Sequence, residues 1–144
     1  MPLICRQLEF DSPEYDATLR LREDVLRKPL GMVLRLQDQR GEHAQLHFGA
    51  FQGGKLVGSI IFVPEEKPNA KLRQMAVAPS QQGKGVGAQL LGFVHAFAKD
   101  KGYSALTLNA RETARSYYAA HGYEPFGEAF TEVGLPHMAM RINL

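Results

Sequence analysis

Apolar and polar residues alternate along several stretches of the chain in the manner of β-strands. Residues 3–10 form one such run, and residues 46–63 form two more, separated by Gly53-Gly54. This dipeptide accepts the positive φ angles of a tight hairpin turn. Residues 71–77 alternate polar with apolar side chains, as a third strand of the same sheet would. An antiparallel arrangement of strands is therefore expected before residue 80.

Helical spacing marks two further regions. Ser12 and Pro13 supply an N-cap followed by proline at the first helical position, and Pro29 interrupts the helix that follows. The charged residues of this helix are expected to lie mostly outside its apolar stripe; they are Arg20, Glu23, Asp24 and Arg27. Residues 85–101 carry apolar side chains at a helical spacing and predict the clearest helix of the chain. Residues 31–44 are polar and irregular, and either a short helix or a loop fits them.

The remaining segments complete a mixed α/β pattern. Residues 105–109 predict a short buried strand and residues 112–121 a helix. Another pair of strands is predicted near the C-terminus, around Gly127 and residues 134–136. Strands and helices in this order predict a layered α/β domain built on one central sheet. The chain of 144 residues is within the size of a single domain, so residues 1–144 are expected to form one.

Composition and charge exclude several classes of protein. The 17 basic and 15 acidic residues are mixed along the chain, which argues against a nucleic-acid partner. Cys5 is the only cysteine, so an internal disulfide is impossible, and a cytoplasmic location is expected. No signal peptide or apolar run long enough to span a membrane is visible.

A glycine-rich hexapeptide lies between the predicted strand 71–77 and the long helix: Gln82-Gly83-Lys84-Gly85-Val86-Gly87. Glycines let the backbone approach a phosphate closely, and a helix N-terminus favours an anion by roughly 0.3–1 kcal/mol. Lys84 adds a mobile positive charge. This segment therefore predicts a phosphate-binding loop.

Three nucleotide-binding motifs compete for this loop. A Walker A motif fails, because Gly83-Lys84 is followed by glycine instead of serine or threonine. A dinucleotide-binding G-x-G-x-x-A pattern is nominally present and would suggest an oxidoreductase. However, the next strand ends in Leu108-Asn109, where an acidic ribose ligand is expected. The third motif is (Gln/Arg)-x-x-Gly-x-(Gly/Ala), and the hexapeptide agrees with it at every fixed position.

This third motif is the acetyl-CoA pyrophosphate loop of the GNAT N-acetyltransferases, and the chain resembles that family. Residues 72–79 resemble the strand that precedes the loop, and residues 114–123 resemble the family's A-x-x-(F/Y)-Y-x-x-x-G-(F/Y) helix and exit. The tail 132–138 is similar to the ending of small bacterial ElaA-like proteins. The resemblance covers residues 46–142. It implies a GNAT fold: a mostly antiparallel sheet of six to seven strands, splayed at the cofactor site and flanked by about four helices.

The resemblance implies a set of acetyl-CoA contacts. Main-chain groups of Met75, Ala76 and Val77 should meet the pantetheine and the acetyl carbonyl, with the Val77 N–H polarising that carbonyl. The hexapeptide should hold the pyrophosphate. Asn109 either hydrogen-bonds the cofactor arm or caps a strand end. The family often has asparagine where this chain has Arg111, so one cofactor contact is altered or replaced.

Tyr118 aligns with the family's general acid, which protonates the departing thiolate. A tyrosine has a reference pKa of about 10 and a thiol of about 8.5, so a protonated phenol is available at neutral pH. A packed helix-face aromatic is the alternative for Tyr118. Ala114 and Tyr117 accompany it on the cofactor side, and plain packing also accounts for Tyr117.

The amine acceptor must lose a proton before it attacks, which requires a base or a water chain. Many relatives use a glutamate on the strand before the loop, but residues 71–77 contain no acid. His137 is the preferred base, because the resembling subgroup shares it and histidine can titrate near neutrality. A structural role fits it equally. Lesser candidates are Glu132, Glu112 and His47. No metal site is predicted, since His43 and His47 precede and enter a strand, where i and i+4 lie too far apart.

These residues predict transfer of an acetyl group from acetyl-CoA to an amine of a small molecule or peptide, by direct attack in a ternary complex. The alternative is a non-catalytic acyl-CoA-binding or regulatory module that keeps the loop but has no turnover. Residues 20–45 and 128–137 should surround the acceptor. Family habit and exposed C-terminal strands favour a homodimer.

Overall fold

The computed structural model describes residues 2–144, which form one eight-stranded sheet with helices packed on it. The strands run β1-β2-β3-β4-β5-β8-β6 across the sheet, and β7 also pairs with β8. Their bounds are β1 Leu3–Leu8, β2 Leu46–Gln52, β3 Lys55–Pro64, β4 Asn69–Val77, β5 Ala105–Arg111, β6 Glu124–Pro125, β7 Phe130–Glu132 and β8 Leu135–Asn143. The predicted fold class is confirmed. The strand number exceeds the predicted six to seven because β6 and β7 are very short pairings on β8.

Three α-helices flank this sheet: α1 Pro13–Arg22, α2 Val86–Asp100 and α3 Arg115–Ala120. The Ser12 hydroxyl caps α1 by accepting a hydrogen bond from the Tyr15 N–H at 3.1 Å, as predicted. A π-helical turn, Glu23–Arg27, continues α1. The polar stretch that had no periodicity contains two 3-10 helices, Leu36–Gln39 and Glu42–Ala44.

The first four strands are antiparallel neighbours, as their alternation predicts. Gly53 and Gly54, with φ of 59° and 78°, turn the chain from β2 into β3. Further along, β3 and β4 lose register: Ser59 faces Ala76, whereas Ile61 faces Arg73. The extra residue makes a β-bulge in β4, where Gln74 has a φ of 57°.

The sheet opens between β4 and β5, which are parallel to each other. The two strands pair only from Asn69–Lys71 to Ala105–Thr107, and the rest of each strand leaves its neighbour. The predicted splay is therefore confirmed. Each strand has a free inner edge beyond this point, and these edges form the walls of a gap.

Helix α2 lies on the sheet through an apolar face of Val86, Leu90, Leu91 and Val94, all at most 4% exposed. Full burial of such side chains stabilises the fold by about 1.5–3 kcal/mol each. His95, on the same helix, is half-buried, and its Nε2 is 2.7 Å from the Tyr123 hydroxyl. No helix within residues 2–144 is long and apolar enough to cross a membrane.

Candidate active site

The gap between β4 and β5 encloses a cavity of about 450 Å³. It brings together residues from β4, β5, α3 and the C-terminal strands that are distant in sequence. Those predicted as site residues are Met75, Asn109, Ala114, Tyr118, Glu132 and His137. The glycine-rich hexapeptide does not line this cavity. It forms the end of the loop that leads into α2, and its last two residues are the first two of that helix.

The end of β4 turns its backbone toward the gap. The Ala78 N–H donates to the Val57 carbonyl at 2.8 Å, so these two residues form a hydrogen-bonded pair of the ladder. Because such pairs alternate in antiparallel strands, Val77 points its own N–H and C=O away from β3. The Val77 carbonyl accepts a hydrogen bond from Gln82 Nε2 at 3.0 Å. The Val77 N–H thus lies on the open edge, where β5 has already left.

The start of α2 offers unpaired backbone N–H groups that could bind an anion. Gly83 and Gly85 adopt φ of 78° and 84°, which residues with a Cβ rarely tolerate, and Gly85 is the N-cap. No side chain of the described residues 2–144 caps the helix, and its first turn has no acidic residue. The first N–H groups of a helix have no acceptors within it. Together with exposed Lys84, these groups suit a pyrophosphate.

Gly87 connects this loop to the cavity. A Cβ at Gly87 would collide with the Tyr117 hydroxyl and would touch Met75. Only a glycine lets the side chain of Tyr117 lie in this position against α2. Tyr117 therefore contacts the start of α2 from outside the cavity, whereas its neighbour Tyr118 points into it.

Tyr118 is held by other aromatic rings. Its ring makes edge contacts with Tyr117 at 5.3 Å and with Tyr123 at 5.8 Å between centroids. Burial, with a smaller contribution from Tyr117, raises the pKa of the Tyr118 phenol to about 12. Within residues 2–144, its hydroxyl has no hydrogen-bond partner. The residue is a protonated phenol whose hydroxyl is available to a bound molecule.

His137 lies on β8 opposite Arg111 of β5 and is 3% exposed. Its Nδ1 is 2.9 Å from the Leu135 carbonyl, which can only accept, so the neutral ring carries its hydrogen on Nδ1. The lone pair is then on Nε2, which lies 3.6 Å from Glu132 Oε2. Nε2 is therefore the ring nitrogen that can accept a hydrogen bond or a proton.

The other two base candidates do not line the cavity. Glu112 forms an exposed ion pair with Arg115 at 3.0 Å. His47 is buried, and its Nε2 is 2.8 Å from the Glu42 carbonyl. Burial lowers the pKa of His47, which favours the neutral ring. Both residues are poorly placed as bases for chemistry in the gap.

A buried charged network behind β4 has no counterpart in the sequence predictions. Glu42 is fully buried and accepts hydrogen bonds from Arg22 at 2.7 and 2.8 Å, from Tyr15 at 2.7 Å and from Arg73 at 2.7 Å. Burial alone would raise the pKa of the Glu42 carboxyl, but these hydrogen bonds lower it to about 2. Arg22 also donates from Nε to Gln74 Oε1 at 3.0 Å. The network therefore ties α1 to the β-bulge.

The sequence did not indicate that Glu42, Arg22 or Arg27 would be buried. Glu42 lies in the polar stretch without periodicity, and its two arginine partners lie 20 and 31 residues away. Arg27 was expected to lie outside the apolar stripe of its helix, but it is 6% exposed and lines the cavity. Arg27 can be buried because it pairs with Asp38 at 3.5 Å, and that carboxylate comes from a 3-10 helix with no sequence signature.

A splayed sheet, an uncapped helix N-terminus at its opening and a tyrosine in the gap define an acyl-CoA-dependent acyltransferase. The chain matches the family model described as the acetyltransferase (GNAT) domain over residues 30–144. It therefore belongs to the GNAT acetyltransferase family, and it is an acetyl-CoA-dependent enzyme of that class. Within residues 2–144, no group of three or more His, Cys, Asp or Glu side chains could hold a metal ion.

Individual relatives agree with this assignment. The chain is 29% identical over 121 residues to the uncharacterized N-acetyltransferase YjcF of Bacillus subtilis, covering 83% of this chain and 86% of that protein. Its fold resembles Escherichia coli ElaA with a TM-score of 0.83 and 20% identity, covering 98% of this chain and 99% of the other. A GNAT family acetyltransferase from Elizabethkingia anophelis with acetyl-CoA bound gives a TM-score of 0.76 and 20% identity, covering 99% and 98%.

Proposed function

We propose that this protein transfers the acetyl group of acetyl-CoA to a primary amine of a small molecule or peptide, by direct attack within a ternary complex. The observation that carries the proposal is the gap between β4 and β5, which has the free Val77 N–H at one edge and the Tyr118 hydroxyl inside. The Elizabethkingia relative with bound acetyl-CoA supports the choice of donor.

The residues of this chain fit acetyl-CoA, whose thioester supplies the acetyl group. The N–H groups at the start of α2, with Lys84, would bind its pyrophosphate. The Val77 N–H would donate to the acetyl carbonyl oxygen and stabilise the negative charge that develops there. The open edges of β4 and β5, including Asn109, would hold the pantetheine arm between them.

Two side chains would move the protons. Tyr118 would donate its phenolic proton to the sulfur as the carbon–sulfur bond breaks, since its raised pKa keeps it protonated at neutral pH. His137 would accept a proton at Nε2 from the attacking amine, and Glu132 would stabilise the charged ring. Cys5 lies on β1, outside the cavity, so no covalent acetyl-cysteine intermediate is proposed.

The test is an assay of free CoA release with a panel of amines, at varied acetyl-CoA and amine concentrations. Initial-rate lines that intersect are expected, because both substrates must bind before reaction. Tyr118→Phe should lower kcat roughly 100-fold with little change in the KM for acetyl-CoA. Tyr103→Phe is the matched control, because this ring packs on Phe62 away from the cavity.

Parallel initial-rate lines would contradict the ternary complex and indicate a covalent intermediate. A full rate in Tyr118→Phe would remove the tyrosine from the mechanism. His137→Asn keeps a hydrogen-bonding side chain but removes the base, so its rate loss should shrink as the pH rises and more amine is already neutral. A loss that is constant with pH would assign His137 a structural role.

A further inference from the structure

Two arginines from different elements of the cavity lining meet at one carbonyl oxygen. Arg27 Nη1 and Arg111 Nη2 donate to the Leu26 carbonyl at 3.1 and 2.9 Å. Arg27 belongs to the turn after α1, and Arg111 is the last residue of β5. Both line the cavity, so two guanidinium groups lie side by side on its surface.

Their positive charge is poorly compensated. Within the part of the chain that the structure describes, Arg27 has one carboxylate partner, Asp38 at 3.5 Å. The other oxygen of that carboxylate accepts from the Arg35 N–H. Arg111 forms no ion pair with any residue in the described range 2–144. Burial, together with the charge of Arg27, lowers the pKa of the Arg111 guanidinium, while Glu132 partly offsets this. An anion beside the pair would offset the repulsion between the two charges.

Arg73, a third arginine of the cavity, has a structural role, because its side chain is held by hydrogen bonds to other residues of the protein. It donates to the Glu42 carboxylate, to the Gln45 side chain at 3.1 Å and to the Asp38 carbonyl at 2.9 Å. Among residues 2–144, the Arg111 side chain makes a single hydrogen bond, so most of its donors remain available. Planar guanidinium groups bind carboxylates and phosphates through paired hydrogen bonds.

The arginine pair is separate from the phosphate-binding loop. No residue of the hexapeptide 82–87 lines the cavity that contains Arg27 and Arg111. Arg27 belongs to the segment expected to surround the acceptor, and Arg111 is the cross-strand partner of His137. An anion bound here would therefore belong to the acceptor and not to the pyrophosphate of the donor.

We propose that the acceptor is an amine that also carries an anionic acid group, a carboxylate or a phosphate, and that Arg27 and Arg111 bind this group. The inference rests on the proposed acetyl transfer and narrows its substrate class. Binding of the acid group would leave the amine of the same molecule free to reach the acetyl carbonyl. Polycationic amines would be poor acceptors, because the arginine pair repels them.

The experiment compares acceptors that differ only in charge. Amino acids are paired with their carboxamides, and phosphoethanolamine with ethanolamine, and kcat/KM is calculated on the neutral amine in each case. The anionic member of at least one pair should be preferred on the order of 10- to 100-fold. The two kinds of pair distinguish a carboxylate acceptor from a phosphate acceptor.

Arg111→Gln should abolish most of this preference, and Arg111→Lys should retain a fraction of it. Arg141→Gln is the control, because Arg141 is exposed on β8, outside the cavity and outside the segments expected to surround the acceptor. A melting curve of each variant checks that the folded state persists. Turnover that favours neutral or cationic amines in the wild type, or a preference unchanged in Arg111→Gln, would overturn the inference while acetyl transfer stands.

Failure of acetyl transfer itself is recognised separately. If no amine is acetylated, the CoA-bound protein is titrated calorimetrically with N-acetyl amino acids and with their carboxamides. Preferential binding of the anionic member, lost in Arg111→Gln, would support the anion site even though the proposed reaction fails. Equal binding, or none, would overturn the anion site as well.

Discussion

The two ends of the active-site gap are built in different ways. The glycine-rich end, residues 82–87, uses backbone N–H groups of consecutive residues at the start of α2. The arginine-rich end is defined by Arg27, Arg73 and Arg111 at the cavity and by the buried Arg22–Glu42 pair behind them. Its four arginines come from four separate elements. A backbone site needs only local conformation, whereas a side-chain site needs the whole fold. We therefore expect the arginine-rich end to depend far more strongly on single charges.

The largest expected effect comes from removing the central charge of the arginine-rich end. Glu42→Gln should lower the free energy of unfolding by about 3–5 kcal/mol, because Arg22 stays buried without its full counter-charge. Urea unfolding measures the change. Glu128→Gln, at an exposed site, is the control and should stay within about 0.5 kcal/mol. A small effect in Glu42→Gln would mean that the network contributes little.

Acid should weaken the same end. The pKa of Glu42 falls from 4.5 to about 2 on folding, so its contribution to stability is complete above about pH 5 and is lost as the pH falls toward 2. The contribution amounts to about 3 kcal/mol. Unfolding free energies measured across this range should fall more steeply in the wild type than in Glu42→Gln. Equal slopes would show that Glu42 is not the group that titrates.

The glycine-rich end should respond to backbone changes by a smaller amount. Gly85→Ala should cost about 1–2 kcal/mol of stability and weaken acetyl-CoA binding, because residue 85 needs a left-handed conformation. Gly92→Ala is the matched control, since Gly92 is exposed within α2 and an added Cβ meets nothing. This control should gain about 0.5–1 kcal/mol and keep its acetyl-CoA affinity. Thermal unfolding and calorimetry measure both, and equal effects at the two positions would contradict the role of the loop.

The smallest expected effect is in the alkaline pH profile. Because the pKa of Tyr118 is raised to about 12, kcat should not fall between pH 7 and 10 through loss of its proton. Rates at saturating substrates measure this profile. A decline centred near pH 10 that disappears in Tyr118→Phe would show an ordinary phenol pKa.

The contrast between the two ends also explains what the sequence could predict. The hairpin, the long helix and the glycine-rich loop depend on neighbouring residues, and all three follow from local patterns. The burial of Glu42 depends on Arg22 and Arg73, which come from other elements. The polar residues next to Glu42 in the sequence therefore gave no indication that it is buried. Arg111 was visible as a departure from the family pattern, but its contact with Leu26 spans 85 residues and required the structure.

Acetyl transfer by this protein can be followed with a labelled acetyl group. The protein is incubated with acetyl-CoA carrying a ¹³C-labelled acetyl group and with the amine panel, and the products are identified by mass spectrometry. We expect a labelled N-acetyl amide and free CoA in equal amounts, both greatly reduced in Tyr118→Phe. Free CoA without a labelled amide would indicate thioester hydrolysis alone. Acetyl-CoA binding without either product would indicate a non-catalytic acyl-CoA-binding module, and both results would contradict acetyl transfer.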